Sequence, residues 1–147
     1  MFKKILVALD GSQASEKALA WAKDTHDSLP DAQITFLYVQ QVLKASTFAA
    51  YAPVGYKFDY DLQGAAEELP SEHPAKRAVE QFTSQERVTG LAKQGVPSDV
   101  ILKEADAGEY DLIVLGAEGH GVVESVLLGS VSAKILHYAK IPVLIVR

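Results

Sequence analysis

Four short, nearly continuous apolar runs constrain the fold of this chain more than any other feature. Each is rich in branched residues and ends at a glycine or before a polar residue. Successive side chains of a strand point to opposite faces, so an apolar run of this length indicates a strand buried on both faces. Such strands are typical of parallel sheets covered by helices on both sides. The runs are KILVAL (4–9), ITFLYV (34–39), LIVLG (112–116) and PVLIV (142–146).

Segments with apolar residues at helical spacing lie between these runs. Ser12 is a candidate N-cap for a helix that Leu29-Pro30 ends, and Ser98 is a candidate N-cap for a helix that Gly108 ends. Gly129 interrupts the last helical pattern, so its main helix is predicted to start near Ser130. Strands alternating with helices predict one α/β domain over residues 1–147, a three-layer α/β/α sandwich around a parallel sheet.

Two parts of the chain fit this pattern less clearly. A fifth strand is expected within residues 86–95, but Gly90 and the weak β formers Ala92 and Lys93 make it a poor strand by sequence. Residues 40–73 hold an aromatic-rich stretch, 48–60, and several prolines before a helical pattern over residues 74–86. We expect residues 40–73 to be a surface loop whose aromatic rings pack on its own domain, with a lid or partner surface as the alternative.

Composition excludes several classes of function. Fourteen Lys and Arg against nineteen Asp and Glu give a net charge of −5, without the positive footprint that nucleic-acid binding requires. The chain has no cysteine, so disulfides, thiolate metal sites and thiol nucleophiles are excluded. No apolar run approaches the roughly 20 residues of a membrane span. We therefore expect a cytoplasmic protein that binds neither nucleic acid nor a membrane.

A glycine- and serine-rich segment follows the fourth apolar run and suggests an anion site. Gly116, Gly119 and Gly121 precede Gly129, which directly precedes the predicted last helix. Glycines let backbone N–H groups converge on an anion, and the N-terminus of a helix offers further N–H groups and the positive end of its dipole. Ligands of parallel α/β sheets bind at the carboxyl ends of the strands. The first strand ends there in Asp10, which could accept hydrogen bonds from ribose hydroxyls.

The spacing Gly116-x2-Gly119-x9-Gly129-Ser130 resembles the G-2x-G-9x-G-(S/T) motif of the universal stress protein family, in its nucleotide-binding branch. The resemblance is wider than this motif. KKILVALDGSQASEKALAWA is similar to the opening strand and helix of the family, and GVPSDVILKEADAGEYDLIVLG is similar to its segment before the glycine loop. LLGSVSAKILHYAKIPVLIVR is similar to its closing helix and strand. These stretches cover most of the chain outside residues 40–95.

The resemblance implies a five-stranded parallel sheet of order 3-2-1-4-5, with ATP bound where the strand order reverses. It also implies a homodimer that pairs through the last strand, residues 142–147, and an exposed apolar edge strand needs covering in any case. Carried over by position, Asp10 contacts the ribose, Val39 offers backbone groups to the adenine, and Ala8 and Leu9 line the site. The residues that would hold ribose and phosphates are Gly116, Gly119, Gly129, Ser130, Val131 and Ser132.

Two residues of the glycine segment bear on which nucleotide is bound. At ~6 Å and an effective dielectric constant near 20, the Glu118 carboxylate would repel a phosphate charge by about 3 kcal/mol. Glu118 must then point to solvent, or act with Mg²⁺, or the site favours fewer phosphates, as in AMP. His120, when protonated, could donate a hydrogen bond to a phosphate, although a solvated side chain is the equal alternative.

Other chemistries fit less well. LLGSVS is not the G-x-S-x-G motif of a hydrolase, and the chain has no P-loop lysine motif for phosphoryl transfer. Glu118, His120 and Glu124 lack the spacing of a known metal motif, so we predict no metal site. The sequence favours an ATP-binding regulator of a stress response over an enzyme, with slow ATP hydrolysis or self-phosphorylation left open. The alternative is a dimeric interaction module whose adenosine site is empty or of the AMP type.

Overall fold

A computed structural model of the chain describes residues 1–41, 68–117 and 128–147. Within them, five parallel strands form one sheet of order β3-β2-β1-β4-β5, which confirms the predicted strand order. Strand β1 lies at the centre of the sheet, and its Ile5, Leu6 and Val7 are fully buried. The strands are β1 (Lys4–Ala8), β2 (Gln33–Gln41), β3 (Val88–Gly95), β4 (Leu112–Gly116) and β5 (Val143–Val146).

Helices cover both faces of the sheet, so the predicted three-layer α/β/α architecture is confirmed. Helices α1 (Gln13–Ser28) and α2 (Pro74–Val79) pack on one face, around Val7 and Phe36. Helices α3 (Pro97–Ala107) and α4 (Ser130–Tyr138) pack on the other face, around Leu6. None of the helices formed by the described residues combines the length and the apolar character that crossing a bilayer requires.

The predicted ends of α1 are confirmed. The Ser12 hydroxyl accepts a hydrogen bond from the backbone N–H of Ser15 at 3.2 Å, as an N-cap side chain does. At the other end, Leu29 is the C-cap, and its N–H donates to the Thr25 carbonyl at 2.8 Å. Proline disfavours helical backbone in the residue before it, and Pro30 follows directly.

The prediction for the start of α3 was wrong by two residues. Val96 is the N-cap, and Pro97 occupies the first turn, where its missing N–H costs nothing because that group has no helical acceptor. Ser98 is only 3% exposed and lies inside the helix instead of capping it. Gly108 is the C-cap, as predicted.

Helix α2 is shorter than the helical pattern over residues 74–86 predicted. It ends at Val79 because Phe82 turns into the core, where its ring lies 5.8 Å from that of Phe36 and 5.0 Å from that of His26. The N–H groups of Gln81 and Phe82 donate to carbonyls three residues back, so a tighter turn of the 3₁₀ type follows α2.

The weakly predicted fifth strand is present as β3. It pairs with β2 at eight positions, from Ile34↔Val88 to Gln41↔Gly95. A strand at the edge of a sheet is only partly buried, so it needs fewer apolar residues than a central one. Gly90 admits α2, since a Cβ there would lie 3.1 Å from the Ala75 carbonyl oxygen. A glycine that weakens a strand by propensity here permits close packing of a helix.

Candidate functional site

A crevice is expected where β1 and β4 part at their carboxyl ends. Strand β1 pairs with β4 only as far as Val7↔Val114, and β4 continues to Gly116. On its other side β1 stays paired with β2, and the Leu9 N–H donates to the Leu37 carbonyl at 2.9 Å. Strands β2 and β3 lie on one side of β1, whereas the next strand along the chain, β4, lies on its other side. The strand order therefore reverses between β1 and β4, the usual position of a ligand in such a sheet.

Asp10 lies at this edge in a defined turn. It is exposed, and its Oδ1 accepts a hydrogen bond from the Ser12 N–H at 2.9 Å. Gly11, between them, has φ +82°, which glycine adopts without the strain of a side chain. The turn thus fixes the Asp10 carboxylate directly before α1, at the carboxyl end of the central strand.

The glycine segment has a fixed base. The Ala117 N–H donates to the Val146 carbonyl at 2.9 Å, and the Gly129 N–H donates to the Ala117 carbonyl at 3.1 Å. The Ser132 hydroxyl donates to the Gly116 carbonyl at 3.1 Å. Residues 118–127 lie outside the described residues, so the predictions for Glu118, Gly119, His120 and Gly121 stay predictions.

The first turn of α4 presents backbone donors at the same edge. Gly129 is the N-cap, and within the described part of the chain no side chain caps this end of the helix. The first helical hydrogen bond runs from the Ala133 N–H to the Gly129 carbonyl at 2.9 Å. The N–H groups of Ser130, Val131 and Ser132 therefore have no acceptor within the helix. Such groups, together with the positive end of the helix dipole, suit an anion.

The two serines of this turn differ in their surroundings. Ser130 is exposed, so its side chain is accessible. Ser132 is 6% exposed, and its hydroxyl donates a hydrogen bond to the Gly116 carbonyl. Sequence reasoning assigned both hydroxyls to a ligand and missed the internal bond of Ser132.

Gly116 has a packing role that sequence reasoning also missed. A Cβ on Gly116 would lie 2.4 Å from both the carbonyl carbon and the carbonyl oxygen of Ala14, in the first turn of α1. Side chains cannot approach backbone atoms this closely, so only glycine fits where α1 crosses the end of β4. The absent side chain thus brings α1 against β4, beside the expected crevice.

The residues predicted to line the site lie on different faces of the sheet. Ala8, Val39 and Val131 are partly buried and pack against the same cluster, on the face that α3 and α4 cover. Leu9 is buried on the opposite face, in the cluster with α1. Beside Val39, Gln40 accepts a hydrogen bond from the Gln94 amide at 3.2 Å. Ala8 and Val39 therefore lie on one face of the sheet, whereas the side chain of Leu9 packs on the other face.

Sequence reasoning missed a histidine near this edge. His73 is the N-cap of α2, and its Nδ1 accepts a hydrogen bond from the Lys76 N–H at 3.1 Å. Its ring stacks on Tyr38 of β2, with 5.8 Å between centroids. Burial, and then the positive charge of Lys76, lower the pKa of His73, which favours the neutral ring that can accept this bond. A polar residue directly before a proline at the start of a helical pattern is the signal that could have found it.

Metal-ligating side chains do not cluster in the described part of the chain. Its His, Asp and Glu residues form no group of three that could hold an ion. The polar residues considered at the sequence level, Glu118, His120 and Glu124, lie outside it.

Comparison with known proteins identifies relatives of the whole chain. The model of the universal stress protein family matches residues 1–147. A universal stress protein of Thermus aquaticus, from the 3′ region of a QAH/OAS sulfhydrylase gene, is 34% identical over 152 residues, with all of both chains covered.

Two solved structures share the fold. The structure of protein MJ0577, from Methanocaldococcus jannaschii, has a TM-score of 0.73 at 24% identity and covers 99% of this chain and 96% of its own. A universal stress protein family protein of Arabidopsis thaliana with AMP bound has a TM-score of 0.63 at 21% identity. That match covers 98% of this chain and 90% of the Arabidopsis chain.

Proposed function

Because the chain belongs to the universal stress protein family, we propose that it binds an adenine nucleotide between the carboxyl ends of β1 and β4. ATP, with or without Mg²⁺, is the first candidate. The protein would act as a nucleotide-dependent sensor or regulator in a stress response, with no turnover of a substrate. One observation carries the proposal. The first turn of α4 holds three N–H groups without a helical acceptor at the edge of the sheet where Asp10 follows the central strand.

Each part of the nucleotide has a group of matching chemistry in this proposal. The exposed Asp10 carboxylate accepts hydrogen bonds from ribose hydroxyls. Val39 offers backbone groups to the adenine, and Ala8 and Leu9 line the site. Gly119 and His120 complete the phosphate site, together with the described residues at the end of β4 and the start of α4, which are Gly116, Gly129, Ser130, Val131 and Ser132.

AMP is the alternative ligand. The Arabidopsis protein with AMP bound has this fold, which supports a mononucleotide as compatible with it. A site with Glu118 in its glycine segment would also repel one phosphate less strongly than three. Titration calorimetry with ATP, ATP plus Mg²⁺, and AMP distinguishes these ligands. Absence of heat with all three would favour the second candidate, a dimeric interaction module whose adenosine site is empty.

A proline substitution tests the carrying observation directly. Ser130 is the first residue of α4, where proline is compatible with a helix, and Gly129 has the extended backbone that precedes proline well (φ −70°, ψ 162°). Ser130→Pro therefore removes one backbone donor while leaving the helix intact. A hydrogen bond to a charged group contributes about 1.5–3 kcal/mol, so we expect ATP affinity to fall about 10- to 100-fold.

The matched control is Ser130→Ala, which removes the hydroxyl and keeps the N–H. We expect it to weaken binding much less than Ser130→Pro does. Thermal unfolding checks that both variants are as stable as the unmodified protein. Equal ATP affinity in Ser130→Pro and the unmodified protein would contradict a phosphate site at this helix end.

We also propose that the protein forms a homodimer through β5. This strand ends the sheet and is half-buried along its length. Its sequence, VLIV, is wholly apolar, whereas the opposite edge strand β3 reads VTGLAKQG. An apolar edge strand is the more suitable one for pairing with a second copy.

A further inference from the structure

The Ser132 hydroxyl donates its hydrogen bond to the protein backbone and not into the crevice. It is buried in the first turn of α4, and it donates to the carbonyl of Gly116, the last residue of β4. Side chains of a helix tilt toward its N-terminus, which explains how the third residue of α4 reaches back to the strand. The hydroxyl thus ties the helix turn whose N–H groups lack a helical acceptor to the end of β4.

The Gly116 carbonyl is itself held in place. On one side, Gly116 lies against the backbone of Ala14, with no room for even a methyl group. On the other, the next residue, Ala117, donates its N–H to β5 at Val146. The acceptor of the Ser132 hydrogen bond therefore belongs to a rigid part of the sheet. Through this hydrogen bond, α4 is oriented relative to that part.

We propose that Ser132 is a positioning residue of the nucleotide site: through Gly116 it fixes where the first turn of α4 presents its N–H groups. The inference rests on the proposed function and replaces a direct contact of the Ser132 hydroxyl with phosphate. Loss of the tie changes the direction of the N–H groups, so it weakens ligands that carry phosphate. Adenosine, which has none, is bound through the strand ends and is affected little.

Titration calorimetry on Ser132→Ala, Ser132→Thr and the unmodified protein tests this role. A neutral hydrogen bond corresponds to a change of about 3- to 10-fold in a binding constant. We expect Ser132→Ala to lose about that factor for ATP and AMP, and less than about 2-fold for adenosine. Ser132→Thr keeps the hydroxyl and is expected to bind all three within about 2-fold of the unmodified protein.

Hydrogen exchange of backbone amides supplies a readout that needs no ligand. Without the tie, the Ala133 amide, which makes the first helical hydrogen bond of α4, is expected to exchange faster in Ser132→Ala, whereas the amides of α3 are unchanged. Exchange in the first turn of α4 that does not change on this substitution would overturn the proposal, whatever the affinities.

The outcomes separate the two hypotheses. Unmodified protein that binds neither ATP nor AMP overturns both the proposed function and the role of Ser132. Normal binding by the unmodified protein and equal binding by Ser132→Ala overturn the role of Ser132 alone. An equal loss for adenosine and ATP, or Ser132→Thr as weak as Ser132→Ala, also overturns it, since the hydroxyl would then not act through phosphate positioning.

Discussion

Among single residues, Gly116 is a position where one added methyl group is expected to lower stability strongly. The Cβ of Gly116→Ala would lie 2.4 Å from backbone atoms of Ala14, which cannot move without shifting α1. We expect the substitution to lower the free energy of unfolding by about 2–3 kcal/mol, as overpacking does. Urea unfolding followed by circular dichroism measures this change.

A second substitution identifies the cause. Ala14→Gly removes the Ala14 Cβ, which lies 2.7 Å from the place that the new methyl group of Gly116→Ala would take, but leaves the carbonyl at 2.4 Å. The double variant is therefore expected to be no more stable than Gly116→Ala alone. Recovery of stability in the double variant would show that the side chain of Ala14, and not its backbone, requires glycine.

His73 makes the stability of α2 depend on pH. Its neutral ring accepts the capping hydrogen bond, whereas a protonated ring cannot. Burial first, and then the charges of Lys76 and Arg77, lower its pKa, and Glu72 opposes them. The folded state thus prefers the neutral ring. The stabilisation is complete above the ordinary histidine pKa near 6.5 and is lost as the pH falls through the folded value.

The expected loss is that of one N-cap, about 1 kcal/mol in the free energy of unfolding. It is measured by urea unfolding at several pH values between 7.5 and 5. His73→Asn keeps a capping acceptor and does not titrate, so the difference in stability between it and the unmodified protein should change over this range. A constant difference would mean that His73 does not titrate with folding.

The positions of Asp10, Gly129 and Ser130 in the fold were more predictable than the packing around the candidate site. Asp10, Gly129 and Ser130 lie where the motif predicted, at the carboxyl edge of the sheet, because sequence spacing fixes which residues follow a strand or start a helix. The internal hydrogen bond of Ser132 and the contact of Gly116 with Ala14 join residues far apart in the chain. No local pattern encodes such a meeting, and it depends on how α1 and α4 pack on β4.

At the scale of elements, Arg87 joins the start of β3 to the end of α1. Its guanidinium donates to the carbonyls of Leu29 and Ala32 at 3.0 Å each, and to that of His26 at 3.2 Å. Lysine has one compact ammonium group and cannot reproduce this fork. We expect Arg87→Lys to lower the free energy of unfolding by about 1–2 kcal/mol, measured by urea unfolding.

Arg77→Lys is the matched control, because Arg77 is exposed on α2. A surface substitution of this kind is expected to change stability by less than about 0.5 kcal/mol. Similar effects at both positions would show that the hydrogen bonds of Arg87 to the carbonyls of His26, Leu29 and Ala32 contribute little to stability.

How well each strand or helix could be predicted from the sequence depended on how deeply it is buried. The central strands are apolar because helices cover both faces, so their sequences alone reveal them. Strand β3 lies at an edge and admits α2 at Gly90, so its sequence looks weak although its pairing is complete. The end of α2 was predicted too late because the tertiary packing of Phe82 with Phe36 overrides a helical pattern that local propensity would continue.

At the scale of the whole molecule, the proposed dimer makes a prediction about β5. The Pro142 carbonyl accepts a hydrogen bond from Ile113 of β4, and the Val146 carbonyl accepts one from Ala117, which follows β4. The backbone of Val143 and Ile145 therefore faces the outer edge. Ile145→Pro removes an outward N–H without removing a bond to β4, and proline is tolerated on edge strands. We expect this variant to be monomeric in sedimentation experiments at concentrations where the unmodified protein is dimeric.

Ile145→Thr is the control, since threonine keeps both the N–H and the β-branched shape, and it is expected to remain dimeric. Circular dichroism checks that both variants keep the fold. A dimeric Ile145→Pro protein, or a monomeric unmodified protein, would rule out pairing through β5.

The hydrogen bond between the Gly129 N–H and the Ala117 carbonyl joins the two residues that flank the interval 118–128. We expect sequence changes between these two residues to leave their hydrogen bond, and with it the sheet, in place. In the proposed nucleotide site, substitutions in this interval could therefore change ligand preference while the residues that hold the sheet together stay the same.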